Sequence, residues 1–277
     1  LAPQRSYARQ SPGQGALPPR KILLVEDNPE LLALLASAFE SEFQVFTATN
    51  GREGLTCLST EKIDCVISDV LMPDMYGIEF CARVKGQLQT SHIPLILLTA
   101  RSSYPHQLEG YESGADDYIP KPFRLDLLVL KANNLLNTRL RLQSKFLKSP
   151  HLETPEVHTG ALDQKFLADA IAVVEANIAN EHFAVKDLVK ALGLSRTLVF
   201  EKFKSLIGQP PNEFIQTLRL KKAARMIREN KLKINEIAYQ VGFSDPKYFS
   251  KSFQKQFGVS PSRFKANLDR KIPGVPN

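Results

Sequence analysis

No apolar run in this 277-residue sequence approaches the ~18 residues that a membrane helix needs, so no segment reads as a transmembrane helix. The first residues do not show the charged-then-apolar form of a secretory signal. Cysteine is scarce. Cys57, Cys65 and Cys81 are odd in number and form no C-x-x-C pair, which argues against a disulfide scaffold and a cysteine zinc site. What is present is an apolar share of 43%, enough to build packed cores and to exclude wholesale disorder. At roughly 100–200 residues per domain, the length suggests about two domains.

The formal charge of +7 is unevenly spread. Residues 1–20 carry three Arg and no acid, and residues 21–149 carry 13 basic and 16 acidic groups. Residues 150–160 carry two acids, and residues 161–277 carry 20 basic and 11 acidic groups. An acidic module joined to a module that binds a polyanion is the simplest reading. An unevenly charged solvated surface is the plainer alternative.

Residues 1–20 are rich in Pro, Gln and Gly without periodicity and read as a linker or tail. From Lys21 onward, short apolar runs alternate with helical spacing. The runs are 22–25, 45–48, 65–68, 95–98 and 118–119; between them Leu31, Leu32, Leu35 and Phe39 recur every three or four residues. Five such alternations predict a parallel sheet with helices on both faces. Ligands of such sheets bind at the carboxyl ends of the strands. Residues 149–160, with two Pro and one Gly, read as an interdomain linker. Beyond them the pattern is helical only, over 163–180, 185–192, 195–206, 211–229, 234–241 and 246–257, with stops at Gly193, Gly208, Gly242 and Gly258.

The predicted strand ends carry the chemistry. Glu26 and Asp27 end the first, Asp69 the third and Thr99 the fourth, and Lys121-Pro122-Phe123 follows the fifth. Three converging carboxylates suit hard-oxygen ligation of Mg²⁺. Asp69 is then placed to be a carboxylate nucleophile forming an acyl phosphate, with Lys121 pairing phosphate and Thr99 donating a hydroxyl. Each piece alone also suits an ordinary loop or surface. The order, the tight set of Asp69, Met72, Pro73 and Gly77, and the position of Lys121 carry the weight.

On these residues, 21–137 resemble the receiver domain of two-component response regulators. The resemblance implies a (βα)5 doubly wound, flavodoxin-like fold with Asp69 as phosphoacceptor. It implies that Glu26, Asp27, Asp69 and the Leu71 backbone carbonyl hold Mg²⁺. It assigns Thr99 as switch hydroxyl, Lys121 as phosphate-binding lysine and Tyr118 as switch aromatic, with a cis peptide at Lys121-Pro122. The implied partner is a histidine kinase, and phosphorylation is expected to change what the face of the fourth and fifth helices and fifth strand binds.

Two helix-turn-helix patterns occupy the basic half. VKDLVKAL turns at Gly193 into SRTLVFEKFKSLIG, where Ser195 suits an N-cap. INEIAYQV turns at Gly242 into SDPKYFSKSFQKQFG, where Ser244 or Asp245 can cap and Pro246 suits the first turn. Phe249, Phe253 and Phe257 read as core, as does Phe203 with Leu198 or Val199. Lys202, Lys204, Arg219, Lys221, Lys222, Arg225, Lys247 and Lys251 supply cations, although a charge run is usually a solvated face. Residues 163–265 resemble the AraC/XylS-type DNA-binding domain, most closely in KINEIAYQVGFSDPKYFSKSFQKQFGVSPSRFK. That resemblance implies seven helices and two reading helices in successive major grooves of double-stranded promoter DNA. It puts Arg196, Thr197, Phe200 and Glu201 on the first reading helix and Pro246, Lys247, Tyr248, Ser250 and Lys251 on the second. Glu201 departs from the basic residue common in the family; it suits a cytosine amine or repels phosphate. Phe200 reads equally as core.

The expected organisation is a tail at 1–20, a receiver at 21–137, an extension and linker at 138–162, an all-helical DNA-binding domain at 163–265 and a flexible tail at 266–277. The expected protein is a cytoplasmic, phosphorylation-controlled transcription regulator, dimeric when phosphorylated, with RNA polymerase as a candidate partner and no membrane contact within this chain. A phosphohydrolase using Asp69 competes with this reading, but it needs a second carboxylate two residues on, where Leu71 stands. The start at Leu1 raises a third arrangement, the output end of a longer hybrid sensor kinase.

Overall fold

The computed structural model describes residues 19–100, 114–149, 160–229 and 232–269. The chain divides into two compact units, Leu1–Arg139 and Leu140–Asn277.

In the first unit β1 (Arg20–Val25), β2 (Phe43–Ala48), β3 (Cys65–Asp69), β4 (Leu95–Ala100) and β5 (Asp117–Lys121) form one sheet of order β2-β1-β3-β4-β5. All four pairings are parallel. Successive strand side chains point to opposite faces, so each strand feeds two cores. Leu23, Val25, Val66, Leu95 and Leu97 pack on one side with Phe80 and Val84. Ile22, Leu24, Ile67, Ile96 and Leu98 pack on the other with Leu35, Phe39 and Leu128. Burial on both faces explains the unbroken apolar runs at 22–25 in β1, 65–67 in β3 and 95–98 in β4.

Helices α2 (Gly51–Thr60) and α3 (Gly77–Lys85) cover the first face, and α1 (Pro29–Phe39) and α4 (Leu125–Lys148) the second. The α1 start is specified locally. The Asn28 side chain accepts from the Glu30 and Leu31 amides, and Pro29 fills a position where no amide donor is needed. Strand β5 extends beyond its apolar run to Asp117 on one side and to Pro120 and Lys121 on the other; it is at the sheet edge, where proline is tolerated. The fourth helix that the receiver resemblance implies would lie between β4 and β5, where residues 101–113 are outside the described residues.

The second unit is helical among its described residues. It holds the end of α4 from Leu140, then α5 (Ala161–Ala176), α6 (Val185–Leu192), α7 (Arg196–Ile207), α8 (Pro211–Glu229), α9 (Ile234–Gln240), α10 (Pro246–Phe257) and α11 (Pro261–Asp269). Gly193 (φ 65°) and Gly242 (φ 79°) occupy the turns before α7 and α10 in a left-handed conformation that side chains disfavour. Core residues Leu220, Ala224, Ile227, Ile237, Ala238, Phe249 and Phe253 cluster where α8, α9 and α10 meet.

Defined elements lie at three of the expected boundaries. Arg20, expected in the leading tail, begins β1, and its guanidinium donates to Asn137 at 3.0 Å. The extension expected at 138–162 is helical through Lys148, and α5 already begins at Ala161. The tail expected from 266 is helical through Asp269, because Pro261 opens a further turn capped by Ser260. Residues 1–18, 150–159 and 270–277, expected as tail and linker, lie outside the described residues.

Candidate functional site

Strand order reverses between β1 and β3, which opens a crevice at their carboxyl ends. Glu26 and Asp27 follow β1, and Asp69 ends β3; ligand oxygens of all three lie within 4.8 Å of one another. Asp27 is exposed, whereas Glu26 (2%) and Asp69 (7%) are buried. Lys121, the last residue of β5, reaches across the crevice. Its Nζ lies 2.9 Å from Glu26 Oε2 and 3.0 Å from Asp69 Oδ1. Asp69 Oδ1 also accepts from the Val70 amide at 2.9 Å. Buried Thr99 stands near the end of β4, and the Lys121–Pro122 peptide is cis. Tyr118 is partly buried and packs against the core on the α2–α3 face. Leu71 has an exposed side chain in the loop after β3. That loop is closed by a bond from the Gly77 amide to the Val70 carbonyl, 2.8 Å, and contains Asp74 at φ 66°.

Burial pushes the Glu26 carboxyl above its ordinary pKa; the Lys121 bond opposes that rise and the Asp69 charge adds to it. Burial disfavours the Lys121 ammonium, but its bonds to Glu26 and Asp69 outweigh burial and raise its pKa. Two buried carboxylates share one ammonium, with a third carboxylate beside them. The pocket keeps excess negative charge, so a hard cation fits this donor set.

In the second unit the reading-helix candidates face outward in part. The Ser195 hydroxyl caps α7 by accepting from the Leu198 amide, and Asp245 caps α10 by accepting from the Lys247 amide. On α7, Arg196, Thr197 and Glu201 are exposed, while Phe200 is half-buried. The Arg196 guanidinium lies over the Phe200 ring, 4.9 Å from its centroid. On α10, Lys247, Tyr248 and Lys251 are exposed; Ser250 is half-buried and donates to the Pro246 carbonyl. Two expected surface cations are not on the surface. Lys202 is 0% exposed and pairs with Asp163, and Lys221 is 1% exposed and donates to the Phe146 carbonyl at 2.6 Å. Arg219 turns back to the Asn180 carbonyl at 2.6 Å.

The family model for the response regulator receiver domain matches residues 22–133, and a helix-turn-helix domain model matches residues 188–267. Transcriptional regulatory protein TcrA of Mycobacterium tuberculosis is 32% identical over 194 residues, which cover 69% of this chain and 73% of that protein. The chain belongs to the response regulators. It joins a receiver domain to an AraC-type helix-turn-helix domain, the make-up of a response-regulator-type transcription regulator. This response regulator is also similar to histidine kinase P4 of Formosa agariphila, 43% identical over 243 residues. That match covers 88% of the chain but only 18% of the kinase's length. Among solved structures, the signal receiver domain of a Syntrophus aciditrophicus signal transduction histidine kinase is 39% identical, covering 43% of this chain and 91% of that one at a TM-score of 0.42.

Sequence reasoning missed groups that have no motif. The Val70 amide on Asp69 and the Asn28 amide, 3.4 Å from Glu26 Oε1, are backbone donors available to any residue type. Gln216 was missed in the second unit: its Nε2 donates to Tyr248 Oη at 3.1 Å and Ser252 Oγ at 2.9 Å. Among the described residues, no helix is long and apolar enough to cross a membrane.

Proposed function

We propose that the chain is a transcription regulator whose DNA binding is controlled by phosphorylation of Asp69. The observation that carries this reading is Lys121 Nζ bridging Glu26 and Asp69 at the strand ends of a receiver that is followed by a helix-turn-helix domain. An Asp69 carboxylate oxygen attacks the phosphorus of a kinase phosphohistidine. The new P–O bond forms as the P–N bond breaks, and its electron pair returns to the imidazole nitrogen. Lys121 is already within bonding distance of Asp69 and pairs with the phosphoryl oxygens once they arrive. Glu26, Asp27 and Asp69, with the Leu71 carbonyl, would hold Mg²⁺, which when bound screens repulsion between carboxylate and phosphoryl oxygens. Thr99 donates its hydroxyl to the phosphoryl group, and Tyr118 follows it inward. The receiver assists only its own phosphoryl transfer and turns over no other substrate.

The output is binding of two copies to paired sites on double-stranded DNA, through Arg196, Thr197 and Glu201 on α7 and Lys247, Tyr248, Ser250 and Lys251 on α10. RNA polymerase is the downstream partner of such a complex. Binding chromosomal DNA requires a cytoplasmic location. The test is labelling of the full chain by acetyl phosphate with Mg²⁺, followed by DNA binding with and without phosphorylation. Asp69→Asn should abolish both the label and the gain in DNA affinity. A variant labelled at the wild-type level would overturn the site.

A second arrangement, with the kinase on the same polypeptide, is supported by the likeness to histidine kinase P4 over 88% of this chain. Mapping the natural reading frame decides it: an upstream kinase core in frame supports fusion, and a start codon near Lys21 excludes it.

A further inference from the structure

Helix α8 lies at the centre of the second unit. Its Phe214, Ile215, Leu218 and Ile227 are buried, and Gln216 sits between them at the edge of the core. The Gln216 carboxamide reaches to α10, where its nitrogen meets Tyr248 Oη and Ser252 Oγ. A carboxamide nitrogen carries two hydrogens, so each hydroxyl receives one. Tyr248 and Ser252 are four residues apart and share a face of α10. Gln216 therefore ties two successive turns of this helix to α8. A second contact steadies the tyrosine: its ring centroid lies 6.0 Å from that of Phe243, which is buried. Yet Tyr248 remains 56% exposed. An exposed tyrosine on a helix ordinarily samples several rotamers; this one is held at both ring and hydroxyl.

We propose that Gln216 is a positioning residue for the second reading helix, holding Tyr248 as a hydrogen-bond donor toward an acceptor on DNA. This inference rests on the DNA-binding reading of α10. A phenol oxygen that accepts from Gln216 keeps its own proton for another partner, and accepting one bond polarises the O–H to donate a stronger one. Duplex DNA presents acceptors at phosphate oxygens and at base edges, namely guanine O6 and N7, adenine N7 and thymine O4. The shared chemistry of both sources is an acceptor oxygen or nitrogen within reach of one exposed phenol. Gln216 itself touches no nucleic acid in this scheme; it acts through Tyr248.

The test uses the full chain and a duplex that the wild-type protein selects from a random pool. Tyr248→Phe removes the donated proton and should weaken binding about tenfold, the scale of one hydrogen bond to a charged or strongly polar group. Gln216→Leu keeps the volume and loses the tether, and should weaken binding by a similar factor with little change in melting temperature. The decisive result is the double variant. If Gln216 acts through Tyr248, adding Gln216→Leu to Tyr248→Phe costs less than twofold more. Gln216→Glu, whose carboxylate would accept the hydrogen bond that the phenol otherwise donates to DNA, should weaken binding at least as much as Gln216→Leu. Duplexes carrying a single neutral methylphosphonate, or a single base analogue that removes or weakens one acceptor (7-deazapurine for N7, 6-thioguanine for O6, 4-thiothymine for O4), separate the two acceptor sources. The one modification that no longer penalises Tyr248→Phe marks the contacted acceptor, and Gln216→Leu should lose sensitivity at the same place. Independent losses that multiply in the double variant overturn the positioning role while leaving the DNA-binding reading intact. A wild-type chain that retains no duplex overturns both.

Discussion

A methyl group on Gly77 would come 2.0 Å from the backbone oxygen of Asp69 and 2.9 Å from the Val70 Cα. Both atoms are backbone of the segment that presents the phosphoacceptor candidate, so the strain cannot be relieved by a rotamer change. Gly77→Ala should push the end of β3 out of the crevice. It should cut acetyl phosphate labelling of Asp69 and lower stability by about 1–3 kcal/mol, the usual cost of overpacking. Labelling kinetics and denaturant unfolding of the full chain measure the two effects. The cysteines offer a second residue-level expectation. Burial pushes the Cys57 thiol up to about 11, with the Glu61 charge adding to it, and burial pushes Cys65 up to about 12. A thiol that ionises less readily folded than unfolded stabilises the fold below the unfolded pKa, and that contribution is lost as pH rises through the folded one. Iodoacetamide at pH 8 should therefore label Cys57 and Cys65 only after unfolding. Fast alkylation of the folded chain would contradict the burial.

The buried pair Lys202–Asp163 joins α7 to α5, with both side chains fully buried. In sequence Lys202 was indistinguishable from its neighbour Lys204, and both counted as cations for DNA. Only the phase of α7 separates them: Val199, Lys202, Phe203, Leu206 and Ile207 face inward, and Lys204 faces out. Removing one partner takes the buried counter-ion from the other, so Lys202→Met or Asp163→Leu alone should cost about 3–5 kcal/mol. The double variant should recover most of that loss, because an apolar pair of similar volume replaces both charges. Thermal melts of the four proteins form the cycle; additive losses would show that the pair is not coupled. The strands and the caps at Ser195 and Asp245 were legible, since apolar periodicity and capping residues are local signals; the phase of α7 was not, because Phe203 pairs equally well with Leu198 or Val199 and a lysine interrupts the apolar pattern. Partner identity across 39 residues, as for Asp163 and Lys202, is not a local signal.

At the scale of the molecule, charge asymmetry and motif order carried the two-module organisation in sequence, and Glu26, Asp27 and Asp69 lie together at the strand ends. Where the second module begins was not legible. A Pro-containing stretch near 149–160 reads as a natural divide, and a fragment from Ala161 looks sufficient. The second unit instead begins at Leu140, within α4. Phe146 is buried and stacks on Phe214, with ring centroids 6.3 Å apart, and Lys221 Nζ lies 3.8 Å from the centre of the Phe146 ring. Gln143 donates to the Ser205 carbonyl near the end of α7, and Gln256 of α10 donates to the Leu147 carbonyl. The last carbonyls of a helix lack partners within it, and here side chains of α8 and α10 supply two of them. A fragment of residues 161–277 loses Phe146 and leaves Lys221 without that carbonyl. It should be less stable than a fragment of residues 138–277 by about 3–5 kcal/mol, the cost of deleting a buried Phe. Both fragments keep the exposed Lys204, Lys247 and Lys251, so wherever folded they should bind DNA with an affinity that falls steeply with salt. Chemical denaturation of the two fragments, with salt titrations of DNA binding below each midpoint, tests this. Equal stability would mean that the end of α4 adds nothing to the DNA-binding unit, whereas a stability gap with the same salt slope would assign those nine residues to its core rather than to its DNA surface.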